Sequence, residues 1–239
     1  MVGVKLDKVA FAFRLAPERV QLVDDLLRQV ALDPEVDRIS REVGAQRSLA
    51  WLQEGERPLL IVYTEWKVDP IEGFGSFEAS TEEVADRVRS VIRQLIRDPE
   101  DSAVDVAAGR SHLILDWAAA DGSRGAELRC YARFVPRTRV GAVREFLLDL
   151  QHDPALLNVY SRLRERAGMK RVSLWMEDVA LDEVLMIEMY ESDDLDAAFS
   201  HLASSPFDLE RHITNLAVHS LGWMPDAMPK VREIYRWNS

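Results

Sequence analysis

The sequence predicts an α+β fold made of two halves that share one order of elements, β-α-β-β-α-β. Three observations support this prediction. An amphipathic helix pattern occurs in residues 20–34 and again in residues 140–154, at a constant offset of 120. Alternating strand patterns precede and follow both copies, and a glycine-containing linker, Asp121–Gly125, separates them. A period of this length indicates a duplicated domain rather than a solenoid, whose repeats are shorter.

The repeated helix carries its apolar residues at the same positions in both copies, three or four residues apart. The matched residues are Val20, Val23, Leu26, Leu27, Val30, Asp33 and Pro34, which recur as Val140, Val143, Phe146, Leu147, Leu150, Asp153 and Pro154. Because proline cannot continue a helix, we expect the Asp-Pro pair to close each copy.

Three strand patterns recur around the helix, at offsets that rise along the chain as small loop insertions would cause. The matched segments are 11–17 with 130–136 (offset 119), 47–53 with 171–177 (offset 124) and 59–65 with 184–190 (offset 125). A second helix follows in each half, beginning near Thr81 and near Asp194, whose side chains suit an N-cap.

A fourth strand is expected to close each half: His112–Trp117 in the first, and more weakly Ala217–Trp223 in the second. We therefore predict that residues 1–122 and 123–223 form the two repeats. The tail, residues 224–239, is expected to dock on the body through its aromatic side chains.

Length and composition place limits on the protein class. The 239 residues suit one large domain or two of about 120, and 47% hydrophobic residues are enough for ordinary cores. No apolar run approaches the ~20 residues of a membrane span, and the first residues lack a signal core. We therefore expect a soluble cytoplasmic protein. The single cysteine, Cys130, excludes an internal disulfide and a cysteine metal cluster.

The charge balance argues against two classes of partner. The net charge is −11 and the arginines are dispersed rather than clustered. Nucleic acids and anionic membranes both reward a basic face, so we expect neither as a partner. The acidity is explained by a solvated, soluble surface.

The strands of the second half resemble those of a known superfamily. Residues 172–177 and 183–190 form a strand pair, and Asp193–Phe199 opens the following helix. Together with the two β-α-β-β-α-β halves, this pattern resembles the dimeric α+β barrel superfamily of ferredoxin-like proteins. That superfamily includes antibiotic-biosynthesis monooxygenase-like, sugar-mutarotase-like and chlorite-dismutase-like members. The resemblance implies antiparallel sheets that face each other as a barrel, here as a tandem duplication in one chain, and it allows a homodimer.

Strand alternation predicts which side chains point into such a barrel. We expect Leu185, Ile187 and Met189 to face the helices of the second half. The opposite face would carry Tyr131, Arg133, Trp175, Glu177, Glu188 and Tyr190, and in the first half Arg14, Trp51, Gln53, Tyr63 and Glu65. Such a polar and aromatic interior suits a small, partly aromatic or hydroxylated ligand. A purely structural role explains the set equally well, with Arg14 and Arg133 paired to Glu65 and Glu188.

Candidates for proton transfer are Glu188, His112 and Tyr63, because carboxylates, imidazoles and phenols are the usual general acids and bases. Asp116 shares a face with His112 but lies about 13 Å away at four residues' distance, too far for a direct dyad. An ordinary strand histidine is the simpler interpretation of His112. No metal site is expected, because His201 and His212 lack a partner with ligand spacing.

These patterns leave three function hypotheses. The first is a small-molecule enzyme without a cofactor, similar to the monooxygenases or isomerases of the superfamily. The second is a non-catalytic ligand-binding or scaffold protein. The third is haem binding, for which His112, His201 or His219 would supply the iron ligand.

Overall fold

The computed structural model describes residues 6–79, 83, 85, 86, 89, 90, 111–179, 181–221 and 228–239. Within this part of the chain it confirms an α+β fold with two four-stranded antiparallel sheets. The chain divides into two compact units, residues 1–111 with 230–239, and residues 112–229. None of the described helices is long and apolar enough to span a membrane.

The first unit contains one sheet with strand order β1-β3-β2-β8. Its elements are β1 Asp7–Arg14, a 3-10 turn Pro17–Arg19, α1 Val20–Ala31, α2 Pro34–Glu42, β2 Ala45–Gln53, β3 Leu59–Trp66, α3 Pro70–Ala79 and β8 Val231–Asn238. Helix α1 covers one face of this sheet, where Val23 packs with Leu52 and Leu60.

The second unit contains a sheet with strand order β4-β6-β7-β5. Its elements are β4 Ser111–Ala118, β5 Glu127–Pro136, α4 Arg137–His152, α5 Pro154–Arg166, β6 Met169–Asp178, β7 Glu183–Ser192, α6 Leu195–Ala203 and α7 Asp208–Leu221.

The fourth strands differ from the prediction. Strand β4 was expected to close the first sheet, but it pairs with β6 in the second. The first sheet is closed instead by the C-terminal tail, since β8 pairs with β2. The compact units therefore differ in membership from the predicted repeats, residues 1–122 and 123–223. The tail docks as a strand, and its Trp237 is buried against Ala45 and Trp66.

The predicted strand at Ala217–Trp223 is wrong where the structure describes it. Residues 217–221 continue helix α7, and residues 222 and 223 lie outside the described residues. Leu209, Ile213 and Leu216 recur at helical spacing, and a short apolar run cannot be distinguished from a buried strand by periodicity alone. The expected first-half helix at Thr81 begins outside the described residues, although residues 83, 85, 86, 89 and 90 are helical.

The Asp-Pro pair has two roles in each half. It ends the first helix, as predicted, but it also begins a second helix that the sequence did not reveal. Asp33 accepts a hydrogen bond from the backbone N–H of Glu35, and Asp153 accepts from those of Ala155 and Leu156. The following proline occupies the first helical turn, where its missing N–H costs nothing.

The register of the central strands corrects the predicted correspondence between the halves. Trp51 pairs with Ile61 in the first sheet, and Trp175 pairs with Ile187 in the second. The equivalent residues on β3 and β7 are therefore offset by 126, not by 125. A one-residue shift moves every side chain to the other face of a strand. Tyr63 consequently corresponds to Met189 rather than to Glu188.

Candidate functional site

The helix-covered face of the second sheet lines a partly open cavity of about 90 Å³. Helices α4, α5, α6 and α7 and strands β4, β6 and β7 contribute to its walls. Most of the lining is apolar, including Leu147, Leu174 and Phe199. The polar side chains of the lining are Tyr160, Arg164, Glu188, Tyr190 and Thr214. An apolar cavity with a few convergent polar groups is the usual form of a small-molecule site.

A buried carboxylate lies at the wall of this cavity, held between a phenol and a guanidinium. Glu188 is 2% exposed, and its Oε2 accepts a hydrogen bond of 2.8 Å from the Tyr190 hydroxyl. The Nε of Arg133 lies 3.2 Å from Glu188 Oε1 as an ion pair, although their angles do not make a hydrogen bond. Glu188 therefore has a neighbouring positive charge and retains acceptor capacity on Oε1.

Burial, reinforced by the adjacent Glu188 carboxylate, raises the pKa of Tyr190 well above its usual value. The phenol thus keeps its proton and acts as the donor in the pair. Its ring contacts Phe199 of α6 edge-on at 5.1 Å between centroids, and Tyr131 contacts Phe199 at 6.2 Å. These contacts place Tyr190 and Tyr131 on the helix-covered face.

The predicted orientation of four site residues is wrong. Tyr131, Arg133, Glu188 and Tyr190 were expected to face away from the helices, but they lie on the helix-covered face. The prediction assumed that a helix-covered face is uniformly apolar. The ladder between β6 and β7 pairs Leu174 with Glu188, so an apolar and an acidic side chain share that face.

The same register places the apolar residues of β7 on the face away from the helices. Leu185, Ile187 and Met189, which were expected to contact the helices, alternate with Glu188 and lie on the side away from them. Trp175 and Glu177 lie on that side too, as predicted, and both are buried.

In the first sheet, Trp51, Gln53, Tyr63 and Glu65 lie on the face away from α1, as predicted, and all four are buried. The Tyr63 hydroxyl donates to Glu65 Oε1 at 2.6 Å. The guanidinium of Arg47 lies 3.9 Å from Glu65.

Arg14 is not close to Glu65. It is exposed at the end of β1 opposite Leu59, whereas Lys8 is the residue opposite Glu65. The predicted pairing of Arg14 with Glu65 is therefore wrong, whereas that of Arg133 with Glu188 is confirmed by their 3.2 Å separation.

A buried ion pair that the sequence analysis missed occurs once in each sheet. Arg47 lies 3.9 Å from Glu65, and Arg171 lies 3.9 Å from Glu191. Both glutamates are 1% exposed in their side chains. The two arginines are offset by 124 residues and the two glutamates by 126, as the corrected register requires.

The predicted histidines do not join the cavity. His112 is exposed near the start of β4, and Asp116 on the same strand accepts a hydrogen bond from Ser173. His219 lies in α7 rather than in a strand. No histidine is among the described lining residues. No cluster of three metal-ligating side chains occurs in the residues that the structure describes.

Arg164 is the cavity residue that the sequence analysis did not single out. It is 8% exposed, and its guanidinium lies 4.9 Å from the ring centre of Tyr160 on the preceding helical turn. A sequence signal existed, because Tyr160, Leu163 and Arg164 form one side of α5. A cation on the apolar side of a helix is unusual and needs an explanation.

No protein-family model matches the chain, and no curated protein matches it. Solved structures do. A "putative monooxygenase" from Fusobacterium nucleatum subsp. nucleatum aligns with 100% of this chain and 96% of its own, at 12% identity and a TM-score of 0.50. An anthrone oxidase-like protein aligns with 98% of this chain and 92% of its own, at 12% identity and a TM-score of 0.46.

A third structure, also described as a monooxygenase, comes from Lactobacillus acidophilus NCFM. It aligns with 97% of this chain and 93% of its own, at 12% identity and a TM-score of 0.45. At these identities the likeness concerns the fold. The Fusobacterium structure supports the ferredoxin-like α+β class that the strand patterns predicted.

Proposed function

We propose that the cavity of the second unit binds a small, mainly apolar molecule and that Glu188 accepts a proton from it. The observation that carries this proposal is a buried carboxylate at the wall of an apolar cavity, hydrogen-bonded to Tyr190. The proposed class is an enzyme of the monooxygenase or isomerase type that needs no cofactor. The description of the Fusobacterium neighbour as a monooxygenase is the source of that reaction class.

The three polar groups would have separate roles in this reaction. Glu188 Oε1 takes the proton from an acidic C–H or O–H group of the ligand. Arg133 places its positive charge beside Glu188 Oε1, and Tyr190 holds the carboxylate in place through Oε2. The resulting ligand anion is electron-rich. An isomerase returns the proton at another atom, whereas a monooxygenase lets the anion react with O2.

Not every predicted site residue belongs to this proposal. We propose structural roles for Tyr63 and Glu65, because they form a buried hydrogen bond with each other. The same applies to Trp51, Trp175 and Glu177, which do not line the cavity. The non-catalytic alternative keeps the cavity as a binding site without a proton transfer.

We also propose that the chain arose by tandem duplication. The Asp-Pro helix caps recur at an offset of 120, and the buried Arg-Glu pairs recur between equivalent strands. These are two independent correspondences, one in the helices and one in the sheets.

The proposed function is tested by comparing two carboxylates of strand β7. Glu188→Gln removes the base at the cavity, whereas Glu191→Gln changes a buried carboxylate on the opposite face that is also paired with an arginine. Hydroxyaromatic compounds are first screened for binding by thermal shift. For each ligand found, oxygen uptake and incorporation of solvent deuterium are then measured.

We expect Glu188→Gln to lower turnover by about 10²- to 10⁴-fold, the usual contribution of a general base, with ligand affinity nearly unchanged. Glu191→Gln should retain turnover within about threefold. Full turnover in Glu188→Gln would contradict its role as the base. Binding without turnover in the wild-type protein would favour the non-catalytic alternative.

A further inference from the structure

We propose that Arg164 binds an anionic group of the ligand, so that the cavity selects a small aromatic carboxylate over neutral molecules of the same shape. This inference rests on the proposed function, because it assumes that the cavity binds a small molecule. It goes further by naming the ligand class and the residue that recognises it.

The first argument is the environment of the guanidinium. Arg164 is 92% buried at the cavity wall, since only 8% of it is exposed. Its Nε has no hydrogen-bond partner within the described residues. A buried N–H donor of a charged group is rarely left without an acceptor, so a counter-ion or a ligand usually completes it.

The second argument is the way Arg164 is held. Its guanidinium stacks over the Tyr160 ring at 4.9 Å from the ring centre. Stacking uses the flat face of the guanidinium, whereas its N–H groups point outward in the plane. That edge matches the two oxygens of a carboxylate, which a guanidinium can bind through two parallel hydrogen bonds.

The third argument is the charge of the neighbouring groups. Arg133 and Glu188 balance each other as an ion pair. Glu210 is close enough to Arg164 to interact electrostatically, but neither of its oxygens has a hydrogen-bond partner in the part of the chain that is described. Burial raises the pKa of Glu210, an effect opposed by His201, Arg164 and Arg166. One carboxylate, Glu210, thus faces two arginines, Arg164 and Arg166, so positive charge is in excess on this side of the cavity.

The cavity also limits the size of the ligand. Its volume of about 90 Å³ is smaller than the 150 Å³ of an engineered apolar cavity that holds benzene. Because the cavity is partly open, a single aromatic ring with one carboxylate can enter it in part, and nothing larger than one ring is a suitable probe. Benzoate provides that structure, and benzamide provides the same shape without the charge.

The test is an NMR titration of the full-length protein with benzoate and with benzamide at constant ionic strength. The wild-type protein should bind benzoate at least about tenfold more tightly than benzamide, because hydrogen bonds between charged groups are stronger than neutral ones. Arg164→Gln should weaken benzoate binding by about 10- to 100-fold and leave benzamide binding within about twofold.

Arg162→Gln is the matched control, because Arg162 is an exposed arginine of the same helix that contacts Asn158. It should leave both affinities unchanged. A benzoate preference that persists in Arg164→Gln would overturn the assignment to this residue. The wild-type comparison remains decisive even if Arg164→Gln does not fold.

The remaining outcomes separate this inference from the proposed function. Equal affinities for benzoate and benzamide in the wild-type protein would overturn the anion site and leave the cavity as a binding site. Failure of both compounds to bind would overturn the inference together with the proposed binding function.

Discussion

Removal of the Tyr190 hydroxyl tests the physical account of the buried carboxylate. Tyr190→Phe leaves the ring and its contact with Phe199 in place but removes the donor that lies 2.8 Å from Glu188 Oε2. Glu188 is 2% exposed, and among the described residues no other donor reaches Oε2. A hydrogen bond to a charged group contributes about 1.5–3 kcal/mol. We expect the free energy of unfolding to fall by about 2 kcal/mol.

The same substitution in the Glu188→Gln background should cost less, about 1 kcal/mol, because the acceptor is then neutral. Unfolding in urea at pH 7 measures both values, and the difference between them is the coupling free energy of the pair. Tyr235→Phe is the control. The Tyr235 hydroxyl makes no hydrogen bond with the rest of the described chain, so its loss should cost less than about 0.5 kcal/mol. An equally small effect of Tyr190→Phe would refute the reasoning.

Two further predictions concern stability. Gly125→Ala should lower the free energy of unfolding by about 2–3 kcal/mol, because a Cβ would overlap the Ser192 backbone. Gly141→Ala should raise it by about 0.5–1 kcal/mol, because Gly141 lies on a helix with open space around it. Thermal unfolding measures both. Hydrogen bonds from Arg232 lower the pKa of Asp24. Asp24→Asn should therefore cost about 1 kcal/mol at pH 7, an effect fully present above the unfolded pKa near 4 and lost as pH falls through the lowered folded pKa. Urea midpoints at pH 7 and in acid check this.

The sequence predicted the local elements of the fold well, because each depends on short-range periodicity. The repeated helix and the strands around it carry clear patterns of 3.6 and 2 residues. Strand β4 was recognised, but its partner was not. Sequential strands usually pair with each other, and β4 instead joins β6, which lies about 50 residues further along the chain. Short-range sequence patterns do not show which distant strand β4 pairs with.

Two assumptions of the sequence analysis failed separately. The helix-covered face was taken to be apolar, which put Glu188 and Tyr190 on the wrong side, and the offset between β3 and β7 was wrong by one residue. The predicted offset of 125 aligned Tyr63 with Glu188, whereas the strand ladders give 126. The sequence does contain the signal, because Ile61 and Ile187 are identical at that offset, as are Glu65 and Glu191. Alignment by apolar content alone gave the wrong offset.

Arg164 was missed for a different reason. Its role depends on contacts between helices and a sheet that are distant in sequence. From α5 alone, the place of Arg164 beside Tyr160 and Leu163 is a signal, but it does not show whether the side chain reaches past the apolar surface to solvent. Only the fold shows that its guanidinium lies at a buried cavity wall.

The measurement that tests the central claim most directly is methyl-detected NMR of the protein titrated with benzoate. If the cavity of the second unit is the binding site, the shifted signals will be those of lining residues such as Val143, Leu147 and Leu174. The methyl groups of Leu49 and Leu52 in the first sheet should not change. Shifts concentrated in the first sheet, or none in the cavity lining at saturating ligand, would contradict the account.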